Sequence, residues 1–75
     1  MKKTFVNVVS HLREDGAVVP KSITWRDGRK WNIDRVVHTC ASFNGEFEGI
    51  RYTIIIGSAE KYLYRLGSTW YVDSG

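Results

Sequence analysis

The chain has 75 residues, of which 43% are hydrophobic, and a formal net charge of +3. That length holds one domain, spanning 1–75, and a chain so short buries only roughly 60% of the surface its unfolded form exposes. The lone cysteine, Cys40, rules out an internal disulfide, argues against a secreted disulfide scaffold and points to a reducing, cytoplasmic setting.

The opening "MKKTFVNVVSHL" begins with two lysines, as a signal peptide does. Asn7, Ser10 and His11 interrupt its apolar run, and no small-residue cleavage site follows. It is therefore read as mature protein entering a first strand at 4–12. No apolar segment approaches membrane-spanning length.

Strand signals continue at 18–26 and 29–40, which flank "ITWRDGRKWNID". Ile23, Trp25, Trp31 and Ile33 all carry odd numbers. A two-residue Asp27-Gly28 loop would pair Trp25 with Lys30 and throw the tryptophans onto opposite faces. A three-residue loop, Arg26-Asp27-Gly28, pairs Trp25 with Arg29 and Ile23 with Trp31, so all four share one face. Gly28 then supplies the positive φ that ends a type I turn. This predicts the three-residue loop, with both tryptophans in the core and Arg26, Lys30 and Arg35 edging the hairpin. Residues 21–35 hold Lys21, Arg26, Arg29, Lys30 and Arg35 against Asp27 and Asp34, an excess equal to the whole net charge.

"CASFNGEFEG", 40–49, is the least regular stretch: Asn44-Gly45 marks a turn, Glu46 and Glu48 are acidic, and Phe43 and Phe47 pack down or stand exposed. It reads as a long surface loop.

The remaining strands are predicted at 50–57, 60–66 and 69–73. Gly57-Ser58 and Gly67-Ser68 each fit a two-residue type II′ loop with glycine first. One face then carries Tyr52, Ile54, Ile56, Leu63, Trp70 and Val72, the better core. The other carries Arg51, Thr53, Ile55, Tyr62, Tyr64 and Tyr71, an outer aromatic face. Three-residue loops would instead bury the tyrosines and turn Leu63 out; the glycine heading each turn favours the first register. No helix period persists over three turns. The fold class is all-β: one small antiparallel barrel or strongly curled sheet of five to six strands.

No catalytic constellation assembles, so the chain is read as a non-enzyme. His38 and Cys40 lie two apart on one strand, and His11 would join them only if the first and third strands met there. Two ligands do not make a zinc site, and no cofactor or metal is expected. The glycines belong to turns rather than to a phosphate-binding loop.

Three pieces, "ITWRDGRKWNID", "GIRYTIIIG" and "YLYRLGSTWYV", resemble a small all-β family of short bacterial, Firmicutes-type proteins. The resemblance runs from about Lys21 to Val72 and fits poorly at 40–49. It implies an SH3-like small barrel, and no established activity.

Two binding functions are carried forward. The first is protein–protein interaction, as an adaptor or accessory subunit and including self-association, through the outer face of Tyr62, Tyr64, Tyr71, Arg51 and Ile55. The second is nucleic-acid binding, with those tyrosines stacking bases beside Arg51 and Arg65, and with Arg26, Arg29, Lys30 and Arg35 along the phosphates.

Overall fold

In the computed structural model, which describes residues 2–42 and 45–74, every regular element is a strand. They are β1 (Lys3–Leu12), β2 (Val18–Thr24), β3 (Lys30–Asn32), β4 (Arg35–Ala41), β5 (Ile50–Ile56), β6 (Ala59–Leu66) and β7 (Thr69–Asp73). All pairings are antiparallel, in one curled sheet of order β3-β2-β1-β7-β6-β5-β4. Among the described residues no helix is long and apolar enough to cross a membrane.

The sheet has seven strands, not five to six, because the predicted strand 29–40 breaks at Ile33-Asp34. The Ile33 N–H donates to Lys21 O on β2 at 2.9 Å, and the next N–H, of Asp34, donates to Ile55 O on β5 at 2.8 Å. Consecutive residues thus bond opposite ends of the sheet, and the chain bridges its two edges. The Asp34 carboxylate fixes the crossing by accepting the Gly57 N–H at 2.7 Å.

The turns follow their chemistry. Ile23 faces Trp31, the Trp25 N–H donates to Arg29 O, and Gly28 has φ of 91°, as a three-residue loop requires. Ile56 faces Ala59 and Leu66 faces Thr69, so both Gly-Ser turns have two residues. Gly57 and Gly67 have φ of 62° and 61°, while no described non-glycine residue has positive φ; that combination selects type II′.

The curl encloses an inner core of Ile23, Tyr52, Ile54, Leu63 and Trp70, with Val6, Val8, Val18, Ile33, Val36, Ile50, Ile56 and Val72 packed around it. Trp25 and Trp31 meet edge to face, 5.0 Å between ring centroids, and both are half-buried at one mouth of the curl. Trp25 packs on the core; the Lys61 ammonium lies 5.7 Å from the Trp31 ring.

Candidate interaction face

The register of five strands aligns one row of side chains on the outer surface. Phe5 faces Tyr71, Tyr71 faces Tyr64, Tyr64 faces Arg51 and Arg51 faces Cys40. The Tyr64 and Tyr71 rings stack at 4.9 Å and 4°, and the edge of Phe5 meets Tyr71 at 5.8 Å. A parallel row places Tyr62 opposite Thr53 and Thr53 opposite His38, and below it Ile55 lies opposite Glu60 and Arg35.

The outer face was expected to be open, and here the structure corrects the sequence. Tyr64 and Tyr71 are buried, at 4% and 0% exposure, under a second small core completed by Phe47. The cause is the segment Gly45–Gly49, which folds back as a strap instead of standing off as a surface loop. Its Phe47 meets Tyr64 edge-on at 5.4 Å. The Tyr71 hydroxyl donates to Glu48 O at 2.7 Å and accepts the Glu48 N–H at 3.3 Å. The Glu48 carboxylate forms an ion pair with Lys3 on β1. Gly49 has φ of 85° and lies so close to the Arg65 backbone that a Cβ would collide with its carbonyl. Phe43 and Asn44 lie outside the described residues.

Arg51 fills the gap between strap and sheet. Its guanidinium carbon is 4.5 Å from the Tyr62 ring centroid and 5.0 Å from that of Phe47. Burial under the strap pushes the Tyr64 phenol above its ordinary value, and the nearby Arg51 charge offsets part of the rise.

The other expected binding residues scatter. Ile55 is half-buried. Arg26, Arg29, Lys30 and Arg35 are exposed, but the first three belong to the β2–β3 hairpin, whose Trp25 packs on the inner core. Arg29 is engaged within its own turn, 2.7 Å from Asp27. Arg65, expected near the tyrosines, faces inward: it pairs with Trp70, and its Nε donates to the Tyr52 hydroxyl at 3.1 Å. His38 and Cys40 share the outer face of β4, and no three potential metal ligands come together among the described residues.

What remains open gathers on β1. Among the described residues five large hydrophobic ones are exposed: Phe5, Val9 and Leu12 on β1, Tyr62 on β6, and Val37 at the β4 bulge. Beside β1 lies a groove of about 550 Å³, walled by Val6, Val8 and Ser10, by Trp70 and the Ser68–Thr69 turn, and by Arg26. Sequence reasoning placed this strand at 4–12 but did not single it out as a binding surface. The signal was present in nine residues, Thr4–Leu12, that contain no Asp, Glu, Lys or Arg.

No protein-family profile, no curated protein and no solved structure matches this chain.

Proposed function

We propose that this chain is a non-catalytic protein-binding module that holds a partner against its outer face, from Tyr62 across the strap to Phe5 and Val9. The carrying observation is the gathering of exposed apolar side chains on that side of a small sheet, where a chain of this size has every reason to bury them. Phe5 and Tyr62 are each about half exposed, and each is anchored on a packed aromatic or cationic neighbour. Rigid aromatic anchors with Arg beside them are what interface centres favour.

The nucleic-acid reading has less support. Two of its three stacking tyrosines are covered, and its basic hairpin caps the other side of the sheet. The finer description of the fold as an SH3-like barrel rests on the strong curl and on the β3–β4 crossing that joins the sheet's edges.

The test places a photo-crosslinking benzoylphenylalanine at position 5 or 62, and at position 30 as control, in cells expressing the chain. A discrete protein adduct from 5 and 62, absent from 30, is expected. Adducts to nucleic acid, or adducts from 30 alone, overturn the reading. Anisotropy of labelled single-stranded and duplex oligonucleotides supplies the second arm: salt-sensitive binding that Lys30→Ala weakens transfers the function to nucleic acid.

A further inference from the structure

β1 outruns its neighbour. It pairs with β7 only over Lys3–Val6, then with β2 over Asn7–Leu12, so beyond Val6 its β7-facing side pairs with no strand among the described residues. Open strand edges are normally blunted by charge, proline or a bulge. This one carries none of them. Thr4–Leu12 is without charged residues, and the irregularity in the β1–β2 pairing falls on β2: Val9 faces Ser22 and Ser10 faces Pro20, so Lys21 is the extra residue and β1 stays regular. The edges at β3 and β4 differ, since Lys30 and Arg35 stand on them and β4 bulges at Val37.

We propose that β1 pairs antiparallel with β1 of a second copy of this chain, about a two-fold axis at Ser10. This edge shares only Val9 with the proposed binding face, and its test reads self-association rather than capture of another protein, so the two readings fail separately. A two-fold antiparallel pair that continues both sheets must match residues of like parity, which sets its axis on a residue. With Ser10 on the axis, Leu12 lies opposite Val8 of the second copy and Val9 lies opposite His11, each twice by symmetry. Leu12 is the most exposed of the described large hydrophobic side chains, at 69%. It follows Val6 and Val8 on the inner side of β1 but extends beyond the core that holds them. The pairing directs it at the groove beside Val8 and Ser10, which has room for it. The added strand begins where β7 stops, so it competes with no existing ladder. A two-fold pair also brings the axial residue against its own copy. A charge there would repel itself, whereas two serines bond.

The test is sedimentation velocity over a wide concentration range. Wild type is expected to shift from monomer to twice that mass as concentration rises. Ser10→Lys is expected to stay monomeric with an unchanged circular dichroism spectrum and melting temperature, because residue 10 is exposed. Ser10→Thr should dimerise as wild type does. Register is read by disulfide trapping in a Cys40→Ser background. Ser10→Cys should link to itself on oxidation. Val8→Cys should not, since its two copies would be separated by four residues of strand, roughly 13 Å and beyond disulfide reach. A wild type that stays monomeric throughout overturns the proposal, as does a Ser10→Lys protein that dimerises normally. A dimer that Ser10→Cys fails to trap overturns the register and, with it, the proposed pairing.

Discussion

Replacing Phe47 with Ala removes the side chain that closes the outer core, and its cost can be built from its contacts. Burying a phenylalanine side chain is worth about 1.5–3 kcal/mol. The edge-on contact with Tyr64 adds about 0.5–1.5 kcal/mol, and the Arg51 guanidinium over the ring about 0.5–1 kcal/mol. The sum brackets the range of about 3–5 kcal/mol seen for large aromatic truncations in cores. The strap can settle partly into the gap, so the lower end applies, about 3 kcal/mol. A 75-residue domain has a total stability of about 4–11 kcal/mol, so the variant folds with little margin. Its melting temperature should fall by about 12–24 °C. Denaturant titration measures the loss, and spectra locate it. Trp70 sits in the inner core, Trp25 packs on it and Trp31 meets Trp25 edge to face, so tryptophan emission of the folded variant should hold. The near-ultraviolet circular dichroism of the stacked Tyr64 and Tyr71 should change. Phe47→Leu should recover most of the stability. A loss under about 0.5 kcal/mol, the level of an ordinary surface substitution, would refute the idea that the strap completes a core.

Gly49→Ala should cost at least as much as a strained turn. A left-handed backbone costs roughly 1–2 kcal/mol for an L-residue, and collision with the Arg65 carbonyl forces the strap off the sheet; a thermal melt within a degree of wild type would contradict this. Asp34→Ala removes the acceptor of the Gly57 N–H at the edge-to-edge crossing and should lower stability by about 1–2 kcal/mol, while Asp34→Asn should lose less; chemical denaturation separates the two. Ile54→Ala, at a position with no exposed surface, should cost about 2–5 kcal/mol in the same assay. Alkaline pH should loosen the strap. The Tyr64 phenol is raised by burial, and the Lys3 ammonium is raised chiefly by its hydrogen bond to Glu48. A group raised on folding stabilises fully below its unfolded value and loses that contribution as pH climbs through its folded value. Stability should therefore decline from about pH 10 upward; Tyr64→Phe should flatten the decline, and a variant that declines as steeply as wild type would count against the buried assignment.

Strand positions, turn types and the inner core were legible because each rests on local rules. Parity put Ile23 and Trp31 on one face of their hairpin and, separately, Ile54 and Leu63 on one face of theirs, and glycine placement chose the loop lengths that lock each register. The break at Ile33-Asp34 was not legible. An extended strand and an extended strand that changes partners look alike in sequence, and only the position of β5 shows that Asp34 bonds across the sheet. The outer face was half legible. Parity placed Tyr64 and Tyr71 outside the sheet, and they are outside it. Parity says nothing of what a connection does afterwards, and the strap is held by long-range contacts to Lys3, Tyr71 and Arg65. The alternation Glu46-Phe47-Glu48 before Gly49 was the available hint: one apolar side chain turned down between two charged ones turned up.

The two faces of β1 follow from the same economy. A sheet of this size cannot enclose enough apolar surface on its inner side alone, so it recruits a second layer outside. Between its strands, the longest connection is the one between β4 and β5, and its described part, Gly45–Gly49, returns across the sheet; the others are shorter turns or, at Ile33-Asp34, a two-residue crossing. That one strap reaches from β5 to the Lys3 end of β1 and stops. It covers Tyr64 and Tyr71 and leaves Phe5 and Val9 without a cover from their own chain, while Leu12, on the inner side, runs past the end of the core. The same strand loses its β7 neighbour after Val6, so its exposed side chains and its open backbone edge coincide. A strand short of both a covering layer and a lateral neighbour can gain both from another chain, which is why the exposed apolar surface of this fold gathers there rather than on the hairpin that carries its net charge.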